Sequence, residues 1–173
     1  MIYLDNNATT RVPREVVDVM APYFSDIYFN PSSMYESAKL SSGALERSRE
    51  KIAKFIGAAK ASEILFTSCA TESNSTAIRG AAMANPTRRH IITTTVEHPA
   101  VLALCEELER EGYEVDRVGV NERGEIDMRA FVKALRPGRT LMVTIMSANN
   151  ETGVVFPIER LSSITKSTDP KIL

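Results

Sequence analysis

Cysteine is scarce in this sequence: among 173 residues only Cys69 and Cys105 occur, with no C-x-x-C spacing between them. That argues against a structural zinc site and points to a reducing cytoplasm. Charge of one sign is also missing in excess, 21 basic side chains standing against 22 acidic. No global field therefore favours nucleic acid or an anionic membrane as a partner. Apolar runs of transmembrane length are absent, and the first ten residues carry Asp5 where a signal peptide would be apolar. No Gly-Lys-Ser/Thr closes a Walker loop and no G-x-G-x-x-G fingerprint is present, so a nucleoside triphosphate or dinucleotide is not indicated. Internal repeats and low-complexity tracts are lacking too. What remains is an ordinary globular composition, 43% hydrophobic and 25% charged, long enough to bury a core and ordinarily one domain.

The most informative stretch is 62–80, SEILFTSCATESNSTAIRG. Ile64-Leu65-Phe66 reads as a short buried strand. Small and polar residues fill 67–72, and a helix-capable segment follows through Ala77, Ile78, Ala81 and Ala82. Strand, polar loop and helix start aim backbone N–H groups and a positive helix end at one spot, which suits a phosphate. Thr67, Ser68, Thr71 and Ser73 add hydroxyls to this cup. A helix-capping turn would have the same composition.

Residues 1–13 read as an extended amino-terminal arm and 14–173 as a partial ligand-binding domain. After Pro13, Val16, Val19, Met20, Tyr23 and Phe24 recur at helical spacing. Asn30-Pro31-Ser32-Ser33 interrupts that pattern, since Pro31 biases Asn30 away from helical geometry. A long helix is expected over about 34–55, with Ala38, Leu45, Ile52, Phe55 and Ile56 inward and Gly57 as its stop. Residues 91–95 form a β-branched strand, followed by Glu97-His98-Pro99 with Pro99 suited to a first helical position. The next helix places Val101, Leu102, Cys105 and Leu108 on one face. A third strand is expected over 113–120, a turn at 121–124, and a short helix capped by Asp127 and ended by Pro137-Gly138. Residues 140–147, TLMVTIMS, read as a strand buried on both faces. The turn Asn149-Asn150-Glu151-Thr152-Gly153 follows, then a helix from near Pro157, and Lys171-Ile172-Leu173 begins a further strand.

Strands alternating with helices imply a largely parallel sheet, in which ligands sit beyond the carboxyl ends of the strands. Residues 68–71, Glu97-His98 and Asn149-Asn150 each fall just after an expected strand, so three polar loops should converge on one rim.

With those clusters placed, the sequence resembles the cysteine desulfurases of the NifS/IscS type, class-V enzymes of the fold-type-I pyridoxal 5′-phosphate superfamily. The resemblance runs through almost the whole chain. It rests on Leu4-Asp5-Asn6-Asn7-Ala8-Thr9-Thr10, Asn30-Pro31-Ser32-Ser33, Phe66-Thr67-Ser68 with Ala70-Thr71-Glu72-Ser73, Glu97-His98, and Asn149-Asn150-Glu151-Thr152-Gly153-Val154. It implies a three-layer α/β sandwich with a mainly parallel sheet, the fold-type-I large domain, incomplete in this chain. It assigns Ala70 and Thr71 to the cofactor phosphate, Asn150 to the cofactor ring oxygen, and His98 to stacking on the ring and moving protons near the substrate amine. A helix-capping role for His98 before Pro99 is the plainer reading of position alone. The activity implied is removal of sulfur from L-cysteine, leaving alanine and an enzyme persulfide. The sulfur would pass to an iron–sulfur scaffold or another acceptor, in a cytoplasmic homodimer with no nucleic acid or membrane partner.

Two positions depart from the family pattern. Cys69 stands where the family usually has Gly, placing a Cβ and a sulfur where the backbone would approach phosphate and inviting strain. Tyr35 stands where His is usual. The family's Schiff-base lysine, ring-nitrogen aspartate, sulfur-accepting cysteine and substrate-carboxylate arginine match nothing here. Lys39, Lys51, Lys54, Lys60, Lys133, Lys166 and Lys171 sit on expected charged helix faces or in loops. The cofactor is therefore expected in the complete enzyme and noncovalent or absent in this chain, which should not turn over alone. Competing readings are an inactive binding module that keeps the fold, and half of a selenocysteine-lyase-like enzyme.

Overall fold

The computed structural model describes residues 2–173, which form two compact units, one ending at Phe66 and the other spanning Thr67–Leu173. In the first unit residues 2–13 form neither helix nor strand. Helix α1 is Arg14–Met20 and α2 is Pro22–Ser25. The single helix expected here is divided because Pro22 has no N–H to continue the ladder, so Ala21 closes one helix and opens the next. Helix α3 is Ala38–Ile56, starting later than expected. Residues 35–37 form a bend and turn instead, with Tyr35 edge-on to Phe29 at 6.4 Å between ring centres. Gly57 ends α3 at φ +74°, a left-handed geometry that favours glycine.

Two expectations fail in this unit. Of the five residues expected to face inward along α3, only Ala38 is buried; Leu45 and Ile52 are over a third exposed, and Phe55 and Ile56 lie open. The strand expected at 64–66 is not a strand either. The segment is extended, but the Ile64 carbonyl accepts from the Arg49 guanidinium of α3, which also lies 5.1 Å from the Phe66 ring centre. A side chain has taken the acceptor that a ladder would use, and no neighbouring strand pairs with it among the described residues.

The second unit contains α4 Ala70–Ala84, β1 His90–Thr94, α5 Pro99–Arg110, β2 Glu114–Val118, α6 Met128–Ala134, β3 Thr140–Val143 and α7 Ile158–Thr168. The strands form a parallel sheet in the order β2-β1-β3. Every residue of β1 is buried, as a central strand covered on both faces requires. Ile91 packs with Ile78 and Ala82 of α4, Val101, Leu104, Cys105 and Leu108 of α5, and Met142. On the opposite face Ile92 packs with Phe131 of α6, Leu161 of α7, Val118 and Phe156. Helices on both sides of a parallel sheet make this unit a three-layer α/β sandwich.

Details differ from the expected boundaries. Leu104 replaces Leu102 on the buried stripe of α5, because Leu104 and Leu108 lie one turn apart and Leu102 is turned aside. Strand β2 is shorter than 113–120, and β3 stops at Val143, opposite Ile92; Ser147 is exposed. The ladder slips between His90 and Ile91, so Met142 pairs with Ile91 and Leu141 is the extra residue. Leu173 lies along β3, donating to Leu141 O and accepting from Val143 N, each at 2.9 Å. Asp127 caps α6 as expected, accepting from the N–H groups of Arg129 and Ala130.

His90 lies at the amino edge of the sheet, buried, with Nδ1 2.9 Å from Thr140 Oγ1 and Nε2 3.1 Å from Asp116 Oδ2. Burial, then the nearby Arg136 guanidinium, lowers its pKa, against the pull of Asp116 and Glu114. The folded protein therefore resists protonating this ring. Stability should be full above the ordinary histidine pKa near 6.5 and fall as pH drops below it, because the unfolded chain then binds the extra proton. Thermal melts between pH 7.5 and 5 should show that loss, and His90→Gln should flatten it; an equal slope in both proteins would show that His90 is not its source.

The first unit leaves Leu4, Phe24, Tyr28, Phe55 and Leu65 each more than 60% exposed. Apolar surface on this scale favours association. Sedimentation velocity should show species larger than monomer that shift with concentration, and a concentration-independent monomer would contradict this reading of the surface.

Candidate functional site

The sheet fixes which loops can meet. The segments after β1 and β3 leave the same, carboxyl, edge because the strands are parallel. Helix α4 joins the amino end of β1 through only residues 85–89, so it runs back across the sheet. Its 15 residues span roughly 22 Å at 1.5 Å per residue, enough to bring its first turn to the carboxyl edge. The three polar clusters thus share one rim of the second unit.

At the start of α4, Ala70 and Thr71 are the first two helical residues and Cys69 is the N-cap. Cys69 has φ −164° and ψ 171°, extended backbone open to any residue, so the expected strain at this non-glycine position is not found. Its thiol is exposed and held below its ordinary pKa, chiefly by the backbone N–H of Glu72, then by the Ser68 hydroxyl. A helix amino terminus that favours a thiolate also favours other anions. The hydroxyls are differently disposed than the composition suggests. Ser68 donates both its N–H and its O–H to Glu72 Oε2, each at 2.6 Å, a variant of the capping box. Those two bonds hold the Glu72 carboxyl below its ordinary pKa. Thr67 Oγ1 and Ser73 Oγ lie 2.6 Å apart, and each also reaches Cys69 O. Thr67, Ser68 and Ser73 therefore shape the turn, while the first-turn N–H groups, of which those of Glu72 and Thr71 reach the Cys69 thiol, are the donors an outside anion would use.

His98 is the N-cap of α5 and is exposed. Its Nδ1 accepts the Ala100 N–H at 3.1 Å, so the plain capping role is real. That bond also places the proton of the neutral ring on Nε2, which is left to face outward as a donor. Capping and a role at the site are compatible: the first orients the ring for the second.

Asn150 is exposed within the turn that Asn149 builds, and its Nδ2 donates to Glu151 Oε1 at 2.9 Å. Asn149 is buried; its Oδ1 accepts from Glu151 N, Thr152 N and Thr152 Oγ1 at 2.9, 2.9 and 3.2 Å. Its Nδ2 donates to Val96 O at 3.0 Å, across to the segment after β1. Gly153 closes the turn at φ +73°.

Glu97 and Asn149 are what sequence reasoning left without a role. Glu97 is buried, and its Oε1 accepts from Thr94 Oγ1 at 3.0 Å and from Met146 N at 2.9 Å. Burial raises its pKa, and the two donors oppose that rise. A glutamate directly before His98 gives no periodic signal of burial; the only hint was its place in a polar pair just after a strand.

The class-V aminotransferase family model matches residues 2–173. A cysteine desulfurase of Enterobacter agglomerans is 52% identical over 162 residues, 94% of this chain and 40% of that protein. The cysteine desulfurase NifS of Azotobacter vinelandii is 47% identical over 163 residues, again 94% of this chain and 40% of that protein. Among solved structures, a NifS-like protein superposes with a TM-score of 0.94 at 39% identity, covering 99% of this chain and 47% of that one. SspA in complex with cysteine gives 0.89 at 37% identity, covering 96% and 48%. The chain thus spans about 40% of the length of the curated relatives it matches.

The contrast between the two thiols provides a test of the anion cup. Cys105 is fully buried and its pKa is raised, chiefly by that burial. Iodoacetamide at neutral pH should modify Cys69 well before Cys105, and phosphate or pyridoxal phosphate should slow the reaction at Cys69 alone. An unchanged Cys69 rate with either anion present would remove the case for a phosphate at α4.

Proposed function

The chain belongs to the class-V aminotransferase family, and from that premise we propose that it is the amino-terminal part of a pyridoxal-phosphate-dependent cysteine desulfurase. In this reading the complete protein takes sulfur from L-cysteine for iron–sulfur cluster assembly or another acceptor, as a cytoplasmic homodimer. What supports the proposal is topology: the parallel sheet and the return of α4 put the α4 amino terminus, His98 and Asn150 at its carboxyl edge. A phosphate, an aromatic ring and a ring oxygen call for that set, so the residues present fit the cofactor.

Bound there, pyridoxal phosphate would supply an electron sink that weakens bonds in the substrate amino acid. The chain's own residues would do the holding. The first-turn N–H groups at Ala70 and Thr71 would hold the phosphate without any lysine or arginine, through backbone donors and the helix dipole, with the Thr71 N–H turning from the Cys69 thiol. The Asn150 amide, whose Nδ2 donates to Glu151 Oε1 at 2.9 Å, would exchange that partner for the ring oxygen. His98 offers a flat face for stacking and a proton on Nε2. The bond from Ala100 N–H to Nδ1 orients the ring for that role.

No lysine of the second unit takes part in this rim through the bonds seen: Lys166 of α7, for example, donates to the carbonyls of Pro170 and Ile172. Noncovalent binding is the form of association that these residues support. The 173-residue chain mixed with pyridoxal phosphate and borohydride should show no single-site stoichiometric pyridoxyl adduct by intact mass, and should release no alanine from L-cysteine. One lysine modified stoichiometrically, or alanine released by the isolated chain, would overturn the division of labour proposed here.

A further inference from the structure

The loops that carry His98 and Asn150 belong to different strands, and their mutual position is set by only a few side chains. The buried Glu97 carboxylate takes the Thr94 hydroxyl from its own strand end and the Met146 N–H from the segment after β3. Asn149 makes the return link, donating from Nδ2 to Val96 O while its Oδ1 gathers three donors from Glu151 and Thr152. In both ties the first loop accepts and the second donates; what alternates is the side chain, Glu97 reaching the backbone of the second loop and Asn149 that of the first. Each also sits one residue before a proposed cofactor contact, Glu97 before His98 and Asn149 before Asn150.

We infer that Glu97 and Asn149 form a reciprocal clasp whose task is to position His98 and Asn150 relative to one another, making them positioning residues of the site. This rests on the reading of His98 and Asn150 as ring contacts. The alternative is that a buried glutamate merely satisfies a core turn. The two differ in what a loss would spread to. A satisfied turn, once broken, lowers stability and stops there. A broken clasp also frees the His98 ring and the Asn149 turn, while leaving the phosphate cup on α4 untouched. Packing considerations favour the clasp, because an apolar residue would fill the volume of Glu97 without desolvating a carboxylate. A group that raises the cost of burial is expected where its hydrogen bonds fix a geometry that apolar packing would leave loose.

The chain has only two histidines, which makes the test clean. Imidazole 15N spectra report both rings, His98 capping α5 and His90 held by Thr140 and Asp116 at the far edge. In Glu97→Ala the His98 ring should lose its single Nε2–H tautomer and become a mixture while His90 is unchanged. Amide exchange should quicken at Met146, Glu151 and Thr152. Glu97→Gln keeps the Oε1 acceptor and should restore both signals. Asn149→Ala should reproduce the effect of Glu97→Ala. In parallel, binding of pyridoxal phosphate to the chain should weaken about tenfold in Glu97→Ala, the scale of one hydrogen bond, while inorganic phosphate affinity holds.

If Glu97→Ala leaves His98 and the Glu151 and Thr152 amides as in the wild type, the clasp is wrong whatever the cofactor does. If both histidines change together, the variant has lost its fold generally and Glu97→Gln decides: without restored signals in that variant the inference fails. Should the wild-type chain bind no pyridoxal phosphate, the cofactor reading falls, and the His98 spectrum and amide exchange still decide the clasp.

Discussion

Everything in the second unit depends on the central strand His90–Thr94 being paired on both edges and covered on both faces. A strand in that position cannot present polar side chains to water, so the chain must change character where the strand ends. It does so abruptly: Ile91 and Ile92 anchor the two cores, and three residues past Thr94 a carboxylate is buried instead. Burying Glu97 is tolerable because two donors reach it, one from the end of β1 and one from the segment after β3. The sheet's own geometry thus creates the rim, and the polar ties at its carboxyl edge convert loose connections into a shaped surface.

The electrostatics of that surface divide by edge. At the amino edge, His90, Asp116, Arg136 and Glu114 form a network in which the ring is kept neutral by burial. At the carboxyl edge the α4 terminus and His98 offer donors, while the exposed carboxylates of Glu72 and Glu151 are taken up by Ser68 and Asn150. A ligand carrying a phosphate and a hydrogen-bond-accepting ring therefore has one edge that suits it. This is the physical reason the family relationship and the site geometry support the same functional reading, although the chain spans less than half of each relative described above.

Much of this was legible from residue order alone. The alternation of strands and helices, the Pro99 start of α5, the Asp127 cap and the Gly57 stop all appear as expected, since each depends on local chemistry. What was not legible depended on partners distant in sequence. Ile64-Leu65-Phe66 has the composition of a strand, but a strand is a pairing, and Arg49 claims the Ile64 carbonyl. Leu45 and Phe55 look like core residues, yet burial needs a covering surface that residues 2–66 do not provide. Within the proposed site, Ala70, Thr71, His98 and Asn150 are named from the motifs around them. Glu97 and Asn149 were present in the same motifs, but their function lies in bonds between loops some 50 residues apart.

The central claim is that one edge of the sheet is a cradle for a phosphate-bearing ring. The most direct measurement is an amide and side-chain shift map of the 173-residue chain titrated with pyridoxal phosphate. Shifts should cluster at three separate places, residues 69–72, the Glu97–His98 turn and the turn at 149–151, and saturate together with one affinity. Shifts confined to lysine-bearing helices, or at the α4 terminus without the other two loops, would contradict the claim that these three loops form one site.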